Sequence, residues 1–495
     1  MLEPVTDPFA LARALSAVHV IDGRLCAAHG GATFDVINPA TSKVIGAAAA
    51  GDATDVDRAM AAAKGAQPAW AAMKARDRGK LVAACGARLA AHVEELGRLT
   101  ALETGKALRT ESRVEASVLA DTFVYFGGLA SELCGETIPF SPDMLAMTVR
   151  EPLGVVAAIL PWNAPLLLMA LKIAPALVAG NTVVVKSAEE APFGVLRVCQ
   201  LLQEVLPKGV FNLLSGMGPA CGAPLASHRD VAKVTFTGSV ETGRLVYRAA
   251  AEKLVPVTLE LGGKSPMIVM ADADLERAVA GAVSGMRFTR QGQSCTAASR
   301  IFVQRALHDA FVEQLVARVD ALVMGDPLDE RTDIGTIVSP SQHATVQRYL
   351  KIGREAPGAT AHACSRLPED PALKDGLFVQ PVIFTGLAND HTLCREEIFG
   401  PVTCVIAFDT YEEAIAMAND TDFGLAGTIW TRDLRTAMDA VKRLHAGFVQ
   451  VNQNLVVQPM LSYGGFGQSG IGKEGSLSAM LDHFTHRKTI LISML

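Results

Sequence analysis

No C-x-x-C pair occurs among the nine cysteines, which stand singly at positions 26, 85, 134, 199, 221, 295, 364, 394 and 404. An odd, scattered set in a 495-residue chain suggests neither a disulfide framework nor a zinc site, and a reducing cytoplasm fits it best. Basic tracts and blocks of like charge are also missing, and the formal charge is only −6, which argues against nucleic acid and anionic membrane as partners. The N-terminal Met1-Leu2-Glu3-Pro4 stretch lacks a basic and then apolar leader, so no signal peptide is expected. The one membrane-like run, Leu153 to Ala170, is interrupted by Pro161, Asn163 and Pro165; a buried strand, a turn and a buried helix explain it better than a bilayer span. No internal repeat or low-complexity linker stands out. What is there is half hydrophobic and 19% charged, which excludes a disordered chain and provides for about three domains.

The first 50 residues or so are turn-rich, with strand-like pieces at Val18–Gly23 and Phe34–Pro39. Asp52–Lys64, Arg76–Leu99 and Thr110–Ser131 read as helices, with apolar residues recurring at three and four. From Gly154 the pattern alternates: strands at 154–160, 182–186, 210–214 and 232–237, with helices at 165–178, 193–204 and 218–228 between them. Strands separated by helices of that length predict a parallel, doubly wound sheet. A second alternating region starts near Gly263, with a strand at Pro266–Met270, a helix from Leu275 and a strand-helix set over Val402–Asn419, where Thr410 and Glu413 spell a capping box. The tail, Lys488–Ser493, is an apolar strand with no helix after it, suited to another subunit's sheet edge.

Several pieces carry potential chemistry. Cys295 follows the Gly292-Gln293-Ser294 turn and precedes small residues, leaving room for a substrate beside a thiol; a buried structural cysteine is the plainer alternative. Gly238-Ser239 lies where a strand turns into a helix, whose free N–H groups suit a pyrophosphate, although the G-x-x-x-x-G spacing is not the usual dinucleotide fingerprint. Lys186 and Glu189 leave the C-terminal end of a parallel strand, where they suit ribose hydroxyls or form a solvated loop. Glu260 sits between apolar neighbours, which raises a carboxyl pKa and suits a general base, or an ion pair with Lys264. Asn163, between two prolines, is aimed either at a carbonyl oxygen or simply at its own turn.

Together the motifs are far more specific. Glu103-Thr104-Gly105-Lys106, Pro161-Trp162-Asn163, Gly180-Asn181-Thr182 through Lys186 and Glu189, Phe236-Thr237-Gly238-Ser239, Glu260-Leu261-Gly262-Gly263-Lys264, Gly292-Gln293-Ser294-Cys295 and Glu396-Glu397-Ile398-Phe399-Gly400-Pro401 follow one another in order. In that order and spacing the chain resembles the aldehyde dehydrogenase superfamily along essentially its whole length. The resemblance implies an α/β fold with a Rossmann-type nucleotide-binding domain (1–132 and 152–261), an α/β catalytic domain (262–476) and a small β oligomerisation element (133–151 and 477–495) that predicts a homodimer or homotetramer. It implies Cys295 as nucleophile, Glu260 as base, Asn163 with the Cys295 backbone N–H as oxyanion hole, and Lys172 in proton relay. NAD is the implied cofactor, with NADP the alternative, and no metal is implied. Lys186 and Glu189 would hold the adenosine ribose, Gly218 the adenine, Gly238 and Ser239 the pyrophosphate, and Glu397 and Phe399 the nicotinamide end, with Pro161, Trp162 and Leu261 beside them. Ala164, Leu167, Leu171, Phe288, Ser294, Thr296 and Tyr463 would form the substrate pocket.

The implied reaction oxidises an aldehyde to a free acid through a cysteine thiohemiacetal and thioester. The presence of Glu260 favours hydrolysis over transfer to coenzyme A, and the set Cys295, Glu260 and Asn163 argues against a non-catalytic binding protein on the same fold. Departures from the family pattern are Arg290 where an Asn is usual, Gly467 where a Lys is usual, and Ala164 and Leu171 where large rings are common. Loss of two rings suggests a wider entrance and a bulky or aromatic aldehyde; Arg290 either favours an acidic substrate or is a solvated or paired arginine.

Overall fold

The computed structural model describes residues 2–454 and 458–495; residues 1 and 455–457, which the expected domain bounds include, lie outside them. Two large sheets organise the chain. The first has eight strands, in the order Arg24–Cys26, His19–Ile21, Phe211–Leu214, Thr182–Lys186, Val155–Ile159, Val231–Thr237, Val257–Glu260 and Gly470–Ile471. Its five central strands are parallel. Taken by chain position those five run third, second, first, fourth, fifth, so the order reverses between Val155–Ile159 and Val231–Thr237. The carboxyl ends at such a switch point splay their loops apart and leave a crevice for a ligand. The two loops that leave it are Pro161–Asn163 and Gly238–Ser239.

The strands form where they do because Val, Ile and Ala runs are buried on both faces, as parallel sheets demand. Helix Pro165–Val178 is buried along its whole length and carries Pro at its first position, where no backbone donor is lost. The membrane-like run thus becomes a core strand and a core helix, and no helix among the described residues is long and apolar enough to cross a membrane.

The second sheet runs Thr360–Ala363, Val382–Thr385, Val402–Phe408, Arg300–Gln304, Pro266–Val269, Ala426–Trp430 and Phe448–Val451, parallel except at the first strand. Cys295 and Glu397 precede the amino ends of two of its strands, Arg300–Gln304 and Val402–Phe408. Glu260 closes the last parallel strand of the first sheet, and Pro266 opens a strand of the second only a few residues later. The carboxyl edge of one sheet therefore faces the amino edge of the other.

Some expected elements differ. Asp52 caps a helix that runs to Ala72, not Lys64, and its capping box is completed by Asp55. Arg76–Leu99 is not one helix but two, Ala75–Ala90 and Val93–Thr104, broken at Ala91-His92, where His92 leaves the helical region (φ −119, ψ 13). The stretches expected as helices at 110–131 and 218–228 open with wider π-turns at Leu108–Ser112 and Gly218–Gly222. At Thr410 the hydroxyl accepts from Glu413 N, but the Glu413 carboxylate accepts from Asp409 N, so the reciprocal half of the box sits one residue early. The tail strand Thr485–Ser493 pairs antiparallel with Met144–Pro152 of the same chain over nine residues, forming a three-stranded sheet with Thr137–Ser141. Only its far edge is left for another subunit.

Candidate active site

The loop bearing Cys295 is built under constraint. Helix Leu275–Met286 ends on Arg287 in the left-handed region (φ 57), and Gln291 and Gly292 adopt it again (φ 57 and 63). A Cβ on Gly292 would run into the Gly400 carbonyl, so the turn requires glycine. The Gln293 side chain fastens the loop: its amide donates to Arg290 O and Thr336 O, and its oxygen accepts from Val338 N at 3.0 Å. Cys295 emerges half-buried, with Sγ 3.2 Å from the Tyr463 hydroxyl. Burial pushes the thiol up to about 11; the Tyr463 hydroxyl opposes the rise, and the charges of Glu260 and Glu397 add to it. The Cys295 backbone N–H has no acceptor among the described residues.

Asn163 lies across from this loop. Its side-chain amide donates to Gln293 O at 3.3 Å, which leaves the second amide hydrogen free to point elsewhere. The turn that carries it is held from behind. Lys106 donates to Asn163 O at 3.0 Å and pairs with Glu115, while Glu115 accepts from Leu166 N (2.8 Å) and Leu167 N (3.3 Å) at the start of the next helix. Glu103 accepts from Phe193 N and Gly194 N at 2.7 and 2.8 Å, and burial lifts its carboxyl to about 8 against those two bonds. Lys106 and Glu115 thus frame the Asn163 turn, while Glu103 fixes the start of the helix Pro192–Gln203.

Glu260 is nearly fully buried, and neither carboxylate oxygen has a hydrogen-bond partner among the described residues. Its pKa stands well above the ordinary range, first from desolvation and then from the nearby Glu474 charge, with Lys172 and Lys473 pulling the other way. Lys172 is 2.6 Å from Glu474 Oε1, the oxygen that also accepts from the Thr235 hydroxyl at 3.1 Å. Glu474 pairs through its backbone with Tyr463. One two-residue bridge therefore links the group beside Cys295 to the partner of Lys172.

Two cavities lie on either side of the loop that bears the thiol. One, of about 290 Å³, opens at the switch point and is lined by Pro161, Trp162, Asn163, Gly238, Ser239, Leu261, Glu397, Phe399 and Cys295. Ser239 spends its hydroxyl capping the helix Val240–Ala251, and Thr237 Oγ1 is buried there without a partner among the described residues. Glu397 accepts from Gly263 N at 2.9 Å, and burial lifts it to about 7. Phe399 sits at φ 53 with its ring edge-on to Trp162 at 5.3 Å, held in place by Gln342, which donates to Ile398 O and Phe399 O. Lys186 and Glu189 pair with each other at 2.8 Å, and Gly218 lies against Glu189.

On the other side Ala164, Leu167, Leu171 and Tyr463 pack with Leu168 and Leu425, and with Val118, Cys295 and Phe448. Ser294 and Thr296 share a hydroxyl bond at 3.2 Å. Phe288 is not on this pocket; it lies in the core of the second sheet with Met267, Val269 and Ile301, because the loop needs an anchor there. Beyond Leu167 and Val118 a larger cavity of about 460 Å³ opens, walled by Val114, Val283, Leu322, Glu111, Arg287 and Arg290. Arg290 is the paired arginine of the two expected alternatives: Nη2 and Nε bond Glu111 Oε2 at 2.6 and 2.9 Å, and Thr289 donates to the same carboxylate.

The sequence profile of the aldehyde dehydrogenase family matches residues 26–490. The chain belongs to the aldehyde dehydrogenase family. A betaine aldehyde dehydrogenase of Rhizobium johnstonii is 42% identical over 480 residues, 97% of each chain. The structure of a Staphylococcus aureus betaine aldehyde dehydrogenase in complex with NAD+ superposes with a TM-score of 0.94 at 37% identity, covering 98% of this chain and 96% of that one. An aldehyde dehydrogenase from Bacillus cereus does so with a TM-score of 0.95 at 37% identity over 100% of both chains. Within this aldehyde dehydrogenase, sequence reasoning missed Glu474, Lys106, Glu115, Gln342, Val118 and Phe448. Lys106 stood in a quoted motif without a role; the others carry no local pattern, and only the fold brings them in.

Proposed function

We propose that the protein oxidises an aldehyde to a carboxylic acid with NAD, through a thiohemiacetal and a thioester on Cys295. The observation that carries this reading is the convergence on one thiol of an unpartnered buried carboxylate (Glu260), an amide with a free hydrogen (Asn163) and a free backbone N–H (Cys295). Cys295 Sγ adds to the aldehyde carbon, and the Asn163 amide and Cys295 N–H stabilise the oxygen that gains charge. The residues fit a dinucleotide: the cavity at the switch point, the unpartnered Thr237 hydroxyl, the helix start at Ser239 and the Lys186–Glu189 pair lie along one edge. Trp162, Phe399 and Glu397 would hold its reactive end, and the chemistry it supplies when bound is hydride acceptance. Glu260, whose pKa burial and the Glu474 charge raise, takes a proton from the water that cleaves the thioester. The Lys172–Glu474 pair, which acts on Glu260 through its charges, would take that proton onward through a bridging water.

The Glu189 carboxylate supports NAD over NADP, since it would repel a 2′-phosphate, while a movable Glu189 admits NADP. Ala164 and Leu171 support a bulky or aromatic aldehyde. The expected division into a nucleotide-binding unit, a catalytic unit and an oligomerisation element is supported by the two large sheets and the separate three-stranded one. The test is NADH formation across aliphatic, aromatic, acidic and amino aldehydes, with free acid as product and Cys295→Ala as control. Turnover lost in the variant is the expected result. Turnover retained by Cys295→Ala, or product released only to coenzyme A, refutes the mechanism.

A further inference from the structure

Of the three described arginines that line the cavity beyond Leu167 and Val118, Arg287 alone has no partner. It is nine-tenths buried, and its guanidinium has no hydrogen bond or ion pair with any described residue. Lys106 is paired with Glu115, Arg290 with Glu111, and Arg318 reaches Glu276 at 3.8 Å. Desolvation and the adjacent Arg290 charge pull Arg287 down to about 10, which still leaves it a cation at neutral pH. A buried charge without a partner is costly, and sites that keep one commonly supply the partner from a ligand.

Arg287 lines the 460 Å³ cavity, whose apolar wall is Val114, Val118, Leu167, Val283 and Leu322. Leu167 and Val118 also belong to the cluster packed around Cys295, so the cavity leads to the nucleophile. Both carboxylates on its wall are engaged: Glu111 by Arg290 and Thr289, Glu115 by Lys106 and two backbone N–H groups. No aromatic side chain is among the described residues that line it. In this cavity a fixed cation, such as the quaternary ammonium of the betaine aldehyde in the Rhizobium relative's name, would meet a positive group, and the aromatic rings Tyr463 and Phe448 stand beside Cys295 instead.

We propose that Arg287 is a specificity-determining residue that binds the carboxylate of an ω-carboxy aldehyde, with the carbon chain along the apolar wall and the aldehyde carbon at Cys295. The assignment rests on the aldehyde oxidation proposed above and narrows its substrate to an anion.

Adipic semialdehyde and its methyl ester are nearly equal in size and differ in charge. The wild-type enzyme should prefer the acid in kcat/KM, and Arg287→Gln should lower the acid-to-ester ratio at least about 30-fold, through KM more than kcat. Arg287→Lys, which keeps the charge and loses the fork, should fall between. Calorimetric binding of adipate, present in the wild type and lost in Arg287→Gln, reads the same contact without turnover. An unchanged ratio, equal loss of both substrates with adipate binding retained, or a wild-type preference for betaine aldehyde would each overturn the assignment. If neither probe is oxidised, the aldehyde reading itself is in question, and the adipate titration alone decides Arg287.

Discussion

Removing the Tyr463 hydroxyl tests the site at its nucleophile. The hydroxyl lies 3.2 Å from Cys295 Sγ and is the only side-chain group bonded to that sulfur among the described residues. Burial holds Tyr463 far above the ordinary phenol range, so it stays protonated and can donate to a thiolate. A hydrogen bond to a charged group contributes about 1.5–3 kcal/mol. Half of the upper figure, after allowing for the weaker bond to the neutral thiol, is about a tenfold change in the proton equilibrium. With the thiol at about 11, roughly one molecule in a thousand carries the thiolate at pH 8, and Tyr463→Phe should lower that to about one in ten thousand. The assay is the rate of iodoacetamide alkylation of the Cys295 peptide from pH 7 to 10, read by mass spectrometry with exposed Cys134 as internal reference. Both proteins should alkylate about tenfold faster per pH unit, with the variant's line displaced to higher pH. Loss of the hydroxyl also opens space, but freer access would raise the rate, the opposite direction to the displacement expected from the lost bond. A variant that alkylates as fast as the wild type across the range would show that Tyr463 does not stabilise the thiolate.

Glu260→Gln should retain thioester formation and lose steady-state turnover by a hundredfold or so, since a missing general base commonly costs 10²–10⁴; unchanged turnover removes Glu260 from that role. The same variant carries a stability signature. A carboxyl whose folded pKa lies above its unfolded value contributes stability at low pH that is lost as pH rises above the ordinary glutamate value, so Glu260→Gln should melt higher than wild type at pH 8 and the difference should close toward pH 5. Equal melting at pH 8 contradicts the buried, unpartnered carboxyl. Glu111→Ala should destabilise the fold by about 3–5 kcal/mol by stranding Arg290, and Glu111→Leu with Arg290→Met should recover most of that in denaturant melts. Light scattering should give a mass above one chain, and charging the exposed Leu491 and Ile492 of the tail strand should lower it; a single-chain mass in the wild type refutes the edge as an interface.

The parallel sheet was legible because its strands are short apolar runs separated by helices of regular length, and Val155–Ile159, Thr182–Lys186 and Pro165–Val178 fall where the pattern predicts. The break at Ala91-His92 was not, because an Ala-rich helical period continues through it and the interruption answers to packing. Likewise the tail strand advertised its free backbone edge but not which partner takes it, and Met144–Pro152 is more than 300 residues away. At the site the motif residues were readable and their neighbours were not. Glu474 reaches Lys172 across 302 residues and Glu115 reaches Leu166 across 51, distances at which no spacing rule operates. Arg290 shows the limit in charge: the sequence displays a cation beside the nucleophile, while the fold spends it on Glu111 and leaves Arg287 unspent.

The acid-base order of the site follows from burial acting on both partners at once. An ordinary thiol gives up its proton to an ordinary glutamate at a cost of about 6 kcal/mol. Desolvation raises both groups here: Cys295 to about 11, and Glu260 well above the usual carboxylate range, with the Glu474 charge adding to its rise. Passing a proton from Cys295 to Glu260 moves one negative charge from carboxylate to sulfur within the same buried volume, so much of the desolvation cost cancels and only the difference between the two environments remains. That difference is set by what touches each group. Tyr463 bonds the sulfur and lowers its cost, whereas no described residue bonds the Glu260 oxygens. The arrangement therefore favours transfer to Glu260, and any change that gives Glu260 a hydrogen-bond donor would lower its pKa and weaken it as the base, however well the new bond stabilised the fold.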